Sequence, residues 1–237
     1  MKGKLFVSLM YVTLALVAAA LLMTGCFFTG KRARSVEFSG WMGEDVYSLL
    51  KKGDSNGALY SYAKPGVNSA WYTKMLLDPI VIYNPAKENP PEDVQKSANN
   101  FYSILVKTLS KDYEMVKEPG PNTVRVRVAV TNISPGSGTA QTISSVVPIG
   151  IGVSVVSNWI SGKPAGSGDV SVEVILTDAR TNELLGAGVD RRIADKSLRT
   201  AMDTWNAVTK VQEIWAKIFA YRLCKARGAK KCIAPEQ

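Results

Sequence analysis

The chain predicts an α+β domain: a single mixed or antiparallel sheet with helices packed on one face, in the order β-α-β-β-insert-β-β-α. Three observations lead there. Val124, Val126, Val128 and Val130 alternate with Arg125, Arg127, Ala129 and Thr131, the two-residue period of a strand with one face in a core and the other partly solvated. A second alternation, Val170, Val172, Val174 and Leu176, runs into Asp178-Ala179-Arg180-Thr181-Asn182-Glu183 and a returning stretch at 184–191, which reads as strand, turn and strand. Val94, Ala98, Phe101, Leu105 and Leu109, and later Val208, Val211, Gln212, Trp215, Ile218, Phe219 and Leu223, recur at helical spacing and draw one packing stripe on each of two helices.

The remaining elements follow in order. Residues 37–42 open the packed part, and 45–50 form a short helical turn ending at Lys51-Lys52-Gly53. A short strand is expected at 58–62, and a turn at Pro65-Gly66. The run 75–83 is mostly apolar and β-branched and suits a central strand buried on both faces. Pro79 has no N–H to give the ladder and belongs at a bulge or at the strand's start. After a loop at 84–91, Pro90-Pro91-Glu92-Asp93 begins a helix that should reach about Asp112, because proline and acids are both favoured in a first turn. Pro119-Gly120-Pro121-Asn122 lies between 114–117 and 123–134 and predicts a hairpin. Asn206 is a suitable N-cap for the last helix, with Trp205 as a staple outside it, and Gly228 marks its end.

The stretch 143–160 carries no charge and contains Pro148, Gly150 and Gly152. Within an insert at 143–162 it has two readings: a buried small-residue helix or irregular cover for a sheet face, or an element that enters a membrane or a partner. Proline and two glycines weaken a helix there, and an open loop does not survive in lipid. Gly150-x-Gly152 lacks the third glycine of a phosphate loop.

The first twenty-six residues carry an address. Lys2 and Lys4 precede an uncharged run at 5–23, closed by Thr24-Gly25-Cys26. This is an export signal, and small residues directly before a cysteine match the lipobox of bacterial lipoproteins, which are acylated (palmitate among the chains) on that thiol and cut before it. Cys26 then becomes the first of 237 − 25 = 212 residues. The run is also long enough to span a bilayer, but an uncleaved anchor leaves the Thr24-Gly25-Cys26 ending unexplained. A soluble core helix would keep a polar face, which this run lacks. Phe27, where an inner-membrane lipoprotein of many Gram-negative bacteria has Asp, points to the outer membrane, facing the periplasm. Stable anchoring takes more than one acyl chain. The expected organisation is a signal at 1–25, a basic tether at 26–36 and one α+β domain at 37–237, a size that buries a proper core.

Loss of Lys2 and Lys4 lowers the net charge from +9 to +7, which suits anionic lipid, cell-wall polymer or an acidic partner. The cations cluster at Lys31, Arg32 and Arg34, at Arg191-Arg192, and at Arg222, Lys225, Arg227, Lys230 and Lys231. These read as solvated faces rather than a nucleic-acid patch, and each of the first group adds about 1 kcal/mol of attraction near an anionic leaflet. With Cys26 assigned to lipid, Cys224 and Cys232 remain. In an oxidising compartment they form a bridge pinning the tail to the last helix; the alternative is two unpaired thiols. A zinc site would have half its ligands, since the chain has no histidine. No metal or cofactor is expected.

The lack of histidine also excludes Ser-His-Asp and Cys-His catalysis. Paired carboxylates remain as acid and base, and Glu44-Asp45, Glu92-Asp93 and Asp78 are the candidates. Helix-start acids and a turn or bulge residue explain them more simply, so no catalytic residue is expected.

Ser39-Gly40-Trp41-Met42, Trp71-Tyr72-Thr73-Lys74-Met75-Leu76-Leu77-Asp78-Pro79, Asp178-Ala179-Arg180-Thr181-Asn182-Glu183-Leu184-Leu185, Asp190-Arg191-Arg192 and Trp205 through Trp215-Ala216 are landmarks along nearly the whole mature chain. Together they resemble the uncharacterised Gram-negative lipoprotein family catalogued as domain of unknown function 3313, which implies no catalytic residue to carry over. The element order is also similar to the small α+β domain of the penicillin-binding-protein activator and the curli secretion channel subunit, a likeness of fold that does not fix function. The expected function is therefore an outer-membrane lipoprotein serving as accessory or scaffold in an envelope assembly, with a protein partner not identified by the sequence. The alternatives are a subunit of an oligomeric envelope channel or secretion complex, with 143–162 inserted or between subunits, and a carboxylate-based periplasmic hydrolase. Oligomeric state is left open.

Overall fold

The structure, a computed structural model, describes residues 31–33, 35–54, 57–83, 90, 92–134, 169–193 and 204–235. Cys26, the export signal and the 143–162 insert lie outside the described residues. In chain order the elements are β1 (Lys31–Arg32), α1 (Glu44–Leu49), β2 (Lys51–Lys52), β3 (Tyr60–Ala63), a 3-10 turn (Ser69–Trp71), β4 (Lys74–Leu77), β5 (Val81–Ile82), α2 (Glu92–Leu109), β6 (Glu114–Met115), β7 (Thr123–Ser134), β8 (Asp169–Asp178), β9 (Leu184–Ile193) and α3 (Thr204–Ala226).

The strands form one mixed sheet in the order β2-β3-β9-β8-β7-β4-β6, with β1 also on β9 and β5 also on β7. Its centre is the predicted antiparallel pair β8–β9 joined to β7. Asp178 shapes the turn between β8 and β9: its Oδ1 accepts the N–H groups of Arg180 and Thr181, both at 2.9 Å. Asn182 follows in the left-handed region, φ 59°, where asparagine is tolerated better than most residues. Ser134 pairs with Asp169, so β7 ends and β8 begins at the same end of the sheet.

The helix face is built as the periodicities required. Val94, Ala98, Phe101, Leu105 and Leu109 of α2 and Val208, Val211, Trp215, Ala216 and Ile218 of α3 bury against Val124, Val126, Val128, Val130, Val170 and Val172. Each fully buried valine, leucine, isoleucine or phenylalanine among them contributes roughly 1.5–3 kcal/mol. Between the helices, Gln212 donates to the Ser97 carbonyl at 3.2 Å and its hydroxyl at 2.9 Å, and accepts from Asn100 at 3.3 Å. This satisfies a polar side chain within an apolar seam. α3 starts two residues before the expected Asn206, and Gly228 at φ 69° ends it, its N–H bonded to the Lys225 carbonyl at 3.0 Å.

Four expectations need correction. The run 75–83 is two strands rather than one: Leu77 pairs with Val126 and Val81 with Ala129. The chain thus uses 81 − 77 = 4 steps where β7 uses 129 − 126 = 3, and the extra residue sits at the bulge Pro79 demanded. Nor is this stretch buried on both faces, since only Met75 and Leu77 of β4 are. The hairpin around 119–122 does not form: β6 pairs parallel with β4, which lies between it and β7. The loop signal was real, but the apolar β4 outcompetes the two-residue β6 for the edge of β7.

The tether is also shorter than expected. Lys31 and Arg32 pair with Ile193 and Arg192, and the Arg32 guanidinium donates to the carbonyls of Asp54 at 2.7 Å, Ala58 at 2.8 Å and Gly53 at 3.5 Å. The Arg32 side chain is tied into the domain rather than free in a tether. Finally, Arg192 is buried rather than part of a solvated face, because β9 turns it toward the helices.

Candidate functional site

Two buried polar centres lie back to back across β8 and β9. On the helix face, Asp190 Oδ2 accepts the Trp215 indole N–H at 2.8 Å and the Arg192 Nε–H at 3.2 Å, and Oδ1 accepts the Leu59 N–H at 3.1 Å. Desolvation pushes the Asp190 carboxyl above its ordinary range, against the pull of the Arg192 charge and the indole N–H. One carboxylate thereby joins β9, the loop ahead of β3, and α3.

On the other face, Glu173 is fully buried. Its Oε1 accepts the Ser39 N–H at 2.9 Å and its Oε2 the Tyr47 O–H at 2.7 Å. The Tyr47 oxygen accepts in turn from the N–H groups of Gly40 at 2.9 Å and Met42 at 3.2 Å. Burial is the main force raising the Tyr47 phenol above its usual range, and the adjacent Glu173 carboxylate adds to it. Phe38 stacks on the Tyr47 ring, centroids 4.6 Å apart, and meets Tyr60 edge-on at 5.4 Å. Met42, Tyr47, Ile175, Ala187 and Val189 form a second apolar cluster here, so α1 and the segment before it cover part of the sheet's second face.

Glu173 pairs in register with Val189, and Asp190 with Val172. Adjacent positions in a strand point to opposite faces, so the sheet separates the two carboxylates and they cannot act together on one bond. A third polar centre lies at the turn end of the sheet. The Tyr72 hydroxyl donates to Asp178 Oδ2 at 3.0 Å, and the exposed Trp71 donates its indole N–H to Asn122.

The carboxylates singled out from sequence are engaged locally. Asp78 receives a two-pronged ion pair from Arg125, at 2.7–3.1 Å, which raises the Arg125 pKa. Glu44 and Asp45 are exposed in the first turn of α1. Glu92 pairs with Lys96 at 2.7 Å, and Asp93 accepts the Val94 N–H at 2.9 Å. Among the described residues no hydrogen bond links Asp78 to either acidic pair, and no group of three His, Cys, Asp or Glu could hold a metal ion. Cys224 and Cys232 are bridged, with Cα atoms 5.7 Å apart.

Glu173 escaped the sequence reading because it occupies a polar position of an alternating strand. The signal that could have found it is Ile175, an apolar side chain on the same side of β8, with Ala187 and Val189 beside it. Apolar residues in both registers mean both faces are covered.

Residues 37–219 match the family described as a protein of unknown function, DUF3313. The chain belongs to this family. The match spans Ser39 and the Glu173 and Asp190 centres, and it stops within α3. No curated protein matches this DUF3313 chain. Among solved structures, it is similar to the PelC dodecamer from Paraburkholderia phytofirmans, at 11% identity and TM-score 0.39, covering 72% of this chain and 96% of that one. A DUF330 protein from Xanthomonas campestris is 9% identical, with 70% and 92% covered and TM-score 0.35. A DUF4136 family protein from Bacteroides thetaiotaomicron is 10% identical, with 68% and 95% covered and TM-score 0.33.

Proposed function

We propose that this DUF3313 protein is an outer-membrane lipoprotein, acylated on Cys26 and facing the periplasm, that serves as a non-catalytic accessory or scaffold for a protein partner in the cell envelope. The observation that carries this reading is the disposition of its three cysteines. Two are bridged at the end of α3, a state that persists in oxidising compartments. The third follows Thr24-Gly25 at the end of an uncharged run behind two lysines, where a lipoprotein signal places its acceptor. The buried carboxylates support a scaffold over a hydrolase: each oxygen accepts a hydrogen bond from elsewhere in the domain, which ties segments of the fold together.

The test is fractionation and palmitate labelling of wild-type and Cys26→Ala protein, followed by crosslinking in intact envelopes. Wild type should label, be processed and sediment with the outer membrane, whereas the variant should do none of these. An equally sedimentable, equally processed variant would refute the anchor. Asp78→Asn and Glu44→Gln should leave function unchanged; loss of function in a folded variant would favour the hydrolase.

A further inference from the structure

We infer that the domain stands on the bilayer in one orientation, with the sheet end that carries Lys31 and Ile193 toward the phospholipid surface and the Ala179–Glu183 turn pointing away. This rests on acylation of Cys26, and it adds which surface meets the lipid. The argument is one of lengths. β1 starts 31 − 26 = 5 residues after Cys26, and five residues reach at most about 18 Å whatever their path. β8 runs ten residues, Asp169 to Asp178, roughly 33 Å from one end of the sheet to the other. The tether is therefore too short for the domain to stand inverted, turn end down, while β1 stays paired.

Several contacts keep it paired. Lys31 lies opposite Ile193 and Arg32 opposite Arg192, and the Ala33 N–H donates to the Arg191 carbonyl at 2.9 Å. Arg32 ties the strand to the carbonyls of Gly53, Asp54 and Ala58, and the Asp54 carboxylate receives both terminal nitrogens of Arg222 from α3, at 2.9 and 3.0 Å. The lipid-bearing end is thus fastened to the sheet and to a helix.

The rest of the topology sets which residues share that end. Tyr83 bonds the Val130 carbonyl just after β5, so α2 starts at the lipid end. It finishes near Tyr113, ahead of β6, whose Glu114 lies opposite Lys74 at the other end. α3 runs alongside in the same direction, Gln212 meeting Ser97 and Arg227 meeting Asp112. Gln95 is therefore near the lipid, while Arg180 and Glu118, both exposed, are far from it.

The test uses the full-length protein purified from membranes and reconstituted into phosphatidylethanolamine–phosphatidylglycerol vesicles with an energy-acceptor dye on the headgroups. A donor dye is placed singly at Gln95→Cys, Arg180→Cys or Glu118→Cys, without reductant so that the disulfide stays closed. Energy transfer from position 95 should exceed that from 180 and 118 at least two-fold. Equal transfer at all three positions, or more at 180, overturns the orientation while flotation with the vesicles leaves the anchor standing. Protein that neither floats nor carries acyl chains overturns the anchor and the orientation together.

Discussion

The Trp215 indole N–H donates to Asp190 Oδ2 at 2.8 Å, and Arg192 leans on the same oxygen at 3.2 Å. The last helix is thus fastened to a strand 25 positions earlier through a carboxylate that is almost wholly out of water. Taking away one member of such a buried pair costs more than the pair contributes, because the charge left behind has no solvent.

Asp190→Ala should therefore destabilise the fold by about 3–5 kcal/mol, and Trp215→Phe, which removes one donor and keeps most of the packing, by about 1–3 kcal/mol. The double change Asp190→Ala with Arg192→Met should recover part of the loss. Urea unfolding followed by circular dichroism measures all three, and a double variant less stable than Asp190→Ala alone would contradict the ion-pair account.

On the opposite face, Glu173→Ala leaves the Ser39 N–H and the Tyr47 hydroxyl without their acceptor, at about 1–3 kcal/mol for each. Glu173→Gln keeps an acceptor oxygen and should cost less. Since the segment 38–47 is held through these bonds, limited proteolysis should cut it earlier in Glu173→Ala than in wild type, with β7, β8 and β9 still protected. A uniform loss of protection would mean that Glu173 supports the whole sheet.

The Tyr72–Asp178 contact predicts pH dependence at both extremes. Burial raises the Tyr72 pKa to about 12, and donation to Asp178 adds to the rise. Its contribution to stability is complete below the ordinary 10.0 and is lost as pH climbs through about 12. Burial alone would raise Asp178, but the N–H groups of Thr181 and Arg180 and the Tyr72 hydroxyl outweigh it and hold the carboxyl below 3.8. That contribution is present above 3.8 and disappears as pH falls through the lower folded value. Melting temperature against pH should show a shallower alkaline limb for Tyr72→Phe and a shallower acid limb for Asp178→Asn; parallel curves would rule the linkage out.

Replacing Gly53 with alanine should destabilise by about 1–3 kcal/mol, because a Cβ there collides with the Ala58 carbonyl oxygen, a backbone atom that cannot swing aside. The Gly53 N–H bond to Leu59 at 2.8 Å and the Arg32 contacts depend on the same loop. Amide exchange should consequently rise at β1 as well as at 53–59. Gly57→Ala meets the Arg222 guanidinium, the end of a flexible side chain rather than backbone, and should be milder even though it disturbs the pairing with Asp54.

How much of this was legible beforehand varies by element. The α2 stripe was read residue by residue, since Val94 through Leu109 need only the helical period to declare their face. The β8–β9 hairpin was equally plain, its turn written in Asp178 and Asn182. The pairing of β6 was not, because Glu114 and Met115 carry no pattern and the strand that takes them, β4, lies 40 residues earlier. Arg192 reads as surface because it stands in the charged run Asp190-Arg191-Arg192, and only the packing of α3 shows that its side of β9 is covered.

By itself the sequence determined the periodic elements, the two long helices against one sheet face, the cysteine pair and the family. These follow from local spacing and from which side chains avoid water. Only the tertiary structure decided that the second face is partly roofed by the segment from Phe38 to α1, that Glu173 and Asp190 are walled off from each other, and that Arg32 is tied into the body. Burial and strand partnership are set by residues far off in the chain, from the 21 positions between Arg32 and Gly53 to the 134 between Ser39 and Glu173, where the free energy of satisfying a buried charge outweighs any local preference.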